Sequence, residues 1–77
     1  MGLREVILRK LYRHHYIGNR HTELRNVIKG IPPNLLKDAK KAAEELIKEG
    51  LLLAKVSTGE IHVSLNPRKL EYIRGLI

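Results

Sequence analysis

The chain has 77 residues, of which 15 are Lys or Arg and eight are Asp or Glu, giving a net charge of +7 and a pI near 10.1. That length supports one domain, close to the lower size at which a single hydrophobic core folds without staples. The absence of cysteine excludes a disulfide framework and a thiolate zinc site, and the longest strictly apolar run, Leu51 to Ala54, falls far short of the roughly 18 residues of a membrane span.

The N-terminal "MGLREVILRK" lacks the long apolar stretch of a secretory signal, so the expectation is a cytoplasmic protein that is not exported and meets no membrane. The excess of basic groups points to a polyanionic partner. It is unevenly spread: residues 1–29 carry seven basic and two acidic groups, residues 30–50 four of each, and residues 51–77 four and two. A chain without Gln, Cys or Trp but rich in Lys, Glu, Leu and Ile also leans towards a thermophile's usage.

From Leu3 to about His15, Leu3, Val6, Ile7 and Leu11 share one side while Glu5, Arg9 and Arg13 face away, which predicts an amphipathic helix. Gly18 and Asn19 then suit a turn, and Tyr16-Ile17 a very short strand. Thr22 stands where an N-cap belongs for a two-turn helix over 22–29, with Leu24, Val27 and Ile28 as its apolar stripe and Gly30 as its stop. The "IPP" that follows forces an extended link, and Asn34 is placed to cap a third helix over 34–49. On that helix Leu35, Ala39, Ala42, Ala43 and Leu46 share a face whose alanines allow close approach to a neighbour. Lys37, Lys41, Glu44 and Lys48 lie opposite, with Lys40 on the flank.

Gly50 is a C′ residue, and the alternation in "LLLAKVSTGEIHVSLN" predicts a hairpin over 51–65 about a Thr58-Gly59 turn. Leu52, Ala54 and Val56 are expected to face the core from one strand, and Ile61, Val63 and Leu65 from the other. A last helix over 67–76 starts with Asn66 as cap and Pro67 at its first position. Its stripe of Leu70, Ile73, Leu76 and Ile77 packs most simply on the first helix, and its late position also makes it the candidate surface for a homodimer.

The third helix has an electrostatically poor charge order. Lys37, Lys40 and Lys41 sit in its first half and Glu44, Glu45 and Glu49 in its second, whereas the helix dipole prefers the reverse by about 0.3–1 kcal/mol per terminal group.

The order helix, short strand or turn, stub helix, longer helix and hairpin resembles the winged helix-turn-helix superfamily over nearly the whole chain. "AAEELIKEGLLLAKVSTGEIHVSLN" (42–66) carries the likeness best: it resembles the end of a recognition helix, its closing glycine and two wing strands. "HYIGNRHT", "KGIPP" and "SLNP" together are similar to segments of small archaeal winged-helix proteins. The fold so implied is α+β, mainly α: three helices, a two-stranded wing and a short C-terminal helix.

The resemblance implies a double-stranded DNA ligand, in a transcription regulator or chromatin-associated factor. Asn34, Lys37, Lys40 and Lys41 would face the major groove. Arg20, Thr22 and Arg25 would anchor phosphates beside free amides, and Lys55 and His62 would add wing contacts. The charge order then has a reason, since cations stand at the end that enters the groove. The wing tip "STGE" departs from the pattern, carrying Glu60 and no cation. Asn34 alone suits bidentate contact with adenine and no arginine is placed to read guanine, so the expected sequence specificity is weak.

Competing expectations are a protein-docking module whose basic face meets an acidic partner, and an RNA-binding protein. With only Tyr12, Tyr16 and Tyr72 to stack on bases, a duplex is the better nucleic-acid target. No Gly-rich phosphate loop, cysteine nucleophile or carboxylate pair suggests an enzyme or a cofactor. His14 and His15 diverge as neighbours on a helix, and with His21 and His62 they are not expected to hold a metal.

Overall fold

The computed structural model describes residues 2–77. Its first helix, α1 (Leu3–Arg13), buries Ile7, Leu8 and Leu11 completely or nearly so. The helix ends before the expected His15, in a Schellman closure. His14 is the C-cap, His15 takes the left-handed conformation (φ 59°), and the His15 and Tyr16 amides donate to the Tyr12 and Leu11 carbonyls at 3.1 and 3.0 Å.

After that turn the chain runs along the sheet. The Leu65 amide donates to the Tyr16 carbonyl at 2.8 Å and the Gly18 amide to the Leu65 carbonyl at 3.0 Å, so the short strand expected at Tyr16-Ile17 is a single bridge from Ile17 to Leu65. The next two residues with strand pairing, Thr22–Glu23, form β1 and lead straight into α2 (Leu24–Ile28).

Thr22 is therefore not an N-cap. Its backbone pairs with Val63, Glu23 precedes the helix, and no side chain caps it. A 3-10 turn over Pro33–Leu35 delays the third helix, α3 (Leu36–Lys48), so Asn34 does not cap it either; Leu35 stands at that position without a side-chain bond. The proline pair explains the offset, because Pro33 begins the tight turn with its φ already fixed.

α3 closes as expected. Gly50 has φ 80°, and the Gly50 and Leu51 amides donate to the Ile47 and Leu46 carbonyls, repeating the closure of α1. Strands β2 (Leu52–Ser57) and β3 (Glu60–Leu65) then pair antiparallel from Leu52↔Leu65 to Ser57↔Glu60. Thr58 and Gly59 both have positive φ, a type I′ turn that matches the strand twist.

The protein is thus α+β, the described residues forming four helices and a three-stranded antiparallel sheet in the order β1-β3-β2, not a two-stranded hairpin alone. Leu52, Val63 and Leu65 join Ile7, Leu11, Ala43 and Leu46 in one core. The hairpin runs beyond that core. Ala54, Val56 and Ile61, expected to be inside, are exposed, Val56 at 73% and Ile61 at 44%, although they share a face with Leu52 and Leu65.

The last helix, α4 (Leu70–Leu76), follows a 3-10 turn over Pro67–Lys69. Asn66 caps that turn as the sequence suggests, its Oδ1 accepting from the Arg68 amide at 3.0 Å. Its Nδ2 donates to the Gly50 carbonyl at 2.8 Å, tying the end of α3 to the start of α4. Ile73 is fully buried, Leu70 and Ile77 pack against the core, and Leu76, 38% exposed, is the most open of the four. Three of the four residues considered for a homodimer surface therefore pack on the chain's own core. No helix among the described residues is long and apolar enough to cross a membrane.

Candidate nucleic-acid interface

The charges of α3 are sorted around the helix as well as along it. At 3.6 residues per turn, Lys37, Lys41 and Lys48 project within about 40° of one another, away from the buried Ala39, Ala43 and Leu46. Asp38, Glu45 and Glu49 project about 80° further round, on the side of α1. There Arg4 meets the two glutamates: its guanidinium donates to both Glu49 oxygens, at 2.9 and 2.5 Å, and lies 3.5 Å from a Glu45 oxygen.

That contact resolves the poor charge order at the end of the helix. Carboxylates beside the C-terminal carbonyls of α3 are repelled by the dipole, and the Arg4 cation offsets the repulsion. The Arg4 hydrogen bond, helped by its charge, holds the Glu49 carboxyl below its ordinary value and raises Arg4 in return.

The lysines have no such partners. Among the described residues Lys37, Lys40, Lys41 and Lys48 are exposed and form no salt bridge. A lysine ridge therefore runs the length of α3, interrupted only by Glu44, with exposed Asn34 just before its first turn. Lys48 belongs to this ridge by its spacing of 11 from Lys37, a sign already present in the helical wheel.

The other expected contacts do not converge on this surface. Arg25 stands across a groove from Lys40, but its guanidinium is 2.6 Å from Glu23 and 3.8 Å from Glu60, and the Glu23 hydrogen bond chiefly raises its pKa. Arg20 lies over the Tyr16 ring, 5.7 Å from its centre. Thr22 lines a different depression, with Lys10, Asn26 and Lys29, and its hydroxyl accepts from Asn26 at 3.4 Å.

Lys55 and His62 are directly opposite each other on β2 and β3. Strand alternation points both to the face away from buried Val63 and Leu65, so they share no surface with the α3 ridge. Their neighbour there is His21, whose Nδ1 is 2.9 Å from His62 Nδ1. Sequence spacing gives no sign of that pair, 41 residues apart.

The groove between Arg25 and Lys40, about 480 Å³, separates α2 and α3 from the hairpin tip. Leu24, Ile28, Ile47 and Ile61 supply its apolar wall, while Arg25, Lys40, Glu44 and Glu60 supply both signs of charge. No protein family, curated protein or solved structure was found to match the chain.

Proposed function

We propose that this is a winged helix-turn-helix domain that binds double-stranded DNA, with α3 as the helix that enters the major groove. The element order supports it: a minimal β1 between α1 and α2, then α3, then a hairpin whose tip extends past the core. The observation that carries the reading is the contrast on α3, where Glu49 and Glu45 are engaged by Arg4 while four lysines stand unpaired.

Phosphates would meet Lys37, Lys40, Lys41 and Lys48 as point charges, supplying affinity with little sequence information. Asn34 is the one neighbouring side chain suited to a base edge. Glu60 at the hairpin tip opposes insertion into a minor groove, so binding rests on α3. The role that follows is an architectural or regulatory factor that tolerates many sequences.

Fluorescence anisotropy of the protein against a mixed-sequence duplex and a single strand of equal length tests the reading. Tighter binding to the duplex at about 50 mM salt, weakening steeply towards about 200 mM, is the expected result. Absence of duplex binding at the lower salt contradicts it.

A second reading, docking to a protein partner, is favoured by the apolar groove beside the hairpin and by exposed Val56 and Ile61. An acidic partner would also satisfy the lysine ridge. Substitution of Ile61 by Ser separates the two: it leaves duplex affinity unchanged if DNA contacts the lysines alone.

A further inference from the structure

We propose that His21 and His62 form a binding site for a divalent transition metal of the copper or nickel class, on the sheet face opposite the helices. The two Nδ1 atoms are 2.9 Å apart and the rings meet nearly at right angles, with an interplanar angle of 80° and centres 4.9 Å apart. Two imidazole nitrogens bound about 2.05 Å from one metal, at the right angle of a tetragonal site, stand about 2.9 Å apart. A tetrahedral angle spreads them only to about 3.3 Å, so small ring movements from the present hydrogen-bonded spacing bring both nitrogens onto one ion, and Cu2+ or Ni2+ is chosen because divalent copper and nickel bind such nitrogen ligands most tightly in the first-row series.

The backbone holds this spacing. His62 is on the central strand, paired with Glu23 on one side and Lys55 on the other, and His21 immediately precedes β1. His62 is held in the ladder and His21 is tethered one residue from it, which places the pair better than two free loops would. The pair opens on a depression of about 400 Å³ lined also by Asn19, Leu53, Lys55 and Ser64, with room for the waters that complete the coordination.

In the metal-free pair one Nδ1–H donates to the other Nδ1. Binding requires the donor ring to move its proton to Nε2 and both rings to swing until their lone pairs meet at the ion. No net proton is released from a neutral pair. Among the described residues no group of three or more His, Cys, Asp and Glu side chains is placed to hold a metal, so water supplies the remaining ligands.

Lys55, facing His62 across the ladder, is the local charge that opposes a cation. Its position gives a prediction of sign. Lys55→Ala should tighten Cu2+ binding, and Lys55→Glu should tighten it further by removing a cation and adding an oxygen ligand.

The test is Cu2+ titration of the full chain, followed by electron paramagnetic resonance and by thermal melting. The wild type should bind one Cu2+ with nitrogen hyperfine structure from two imidazoles, and saturating Cu2+ should raise its Tm. His21→Ala and His62→Ala should each weaken binding by roughly 100-fold, the gain expected from holding a second ligand in place. A His14→Ala, His15→Ala variant should bind as the wild type does. Circular dichroism of the metal-free variants checks their fold, and His62→Gln provides a second version should His62→Ala not fold. Unchanged Cu2+ affinity in the folded His21 and His62 variants, or loss confined to the His14 and His15 variant, would overturn the assignment.

Discussion

Arg4, in the first turn of α1, grips Glu49, the C-cap of α3, through two hydrogen bonds that join residues 45 apart in the chain. The side chains are 33% and 47% exposed, so water and salt weaken the pair. Its effect on stability has a defined pH signature. Because Glu49 is held below its ordinary value, the contribution is present above the usual glutamate range near about 4.3 and is lost as pH falls through the lowered folded value. Arg4→Ala should therefore lower Tm modestly at pH 7, and the difference from the wild type should vanish in strong acid. Melting curves of both proteins from pH 7 to pH 2 measure it; a difference that persists unchanged at pH 2 would remove the ion pair as its cause.

The matching closures of α1 and α3 predict opposite effects of glycine. His15 and Gly50 occupy the same left-handed C′ position, with φ 59° and 80°. A side chain in that conformation costs about 1–2 kcal/mol, less where a polar residue bonds locally. His15→Gly should stabilise the protein by up to about 1 kcal/mol, and Gly50→Ala should destabilise it by about 1 kcal/mol, although no atom crowds the Gly50 site. Urea unfolding of the two variants checks the signs, and equal destabilisation by both would show that the position does not govern the closure.

α4 separates folding from self-association. Ile73→Ala should cost about 2–5 kcal/mol, a large part of the roughly 5–15 kcal/mol that stabilises a domain, because Ile73 is fully buried. Leu76→Asp, at a position 38% exposed, should cost less than Ile73→Ala and leave the sedimentation mass unchanged. A halved mass for Leu76→Asp would establish the helix as a dimer surface after all.

The features legible in the sequence were those set by local chemistry. Gly50, the Thr58-Gly59 turn and the Asn66-Pro67 start each require a particular backbone angle or a missing amide, and the structure has them where the residues indicate. The features that were not legible depend on distant partners. Thr22–Glu23 becomes a strand only because β3 lies beside it, so Thr22 read alone resembles a cap. Alternation gave Val56 and Ile61 their correct face but could not tell that the core ends before the hairpin does.

The candidate site divides in the same way. The α3 lysines share a face because helical spacing puts them there, and the wheel displays it. The resemblance of the wing groups Lys55 and His62 with them, but the pleat turns both to the far side of the sheet. His21 meets His62 only through the folded path of the chain.

The measurement that bears most directly on the DNA reading is the salt dependence of duplex binding by the wild type and by a Lys37→Glu, Lys41→Glu variant, with circular dichroism to verify that the variant folds. Neither lysine has a salt bridge to lose among the described residues. The wild type should bind with a steep slope of log affinity against log salt, and the variant should lose most of its low-salt affinity. Its remaining slope should be shallower by about 2, close to one for each phosphate contact removed. A folded variant with wild-type affinity and slope would contradict the assignment of α3 as the DNA-binding surface.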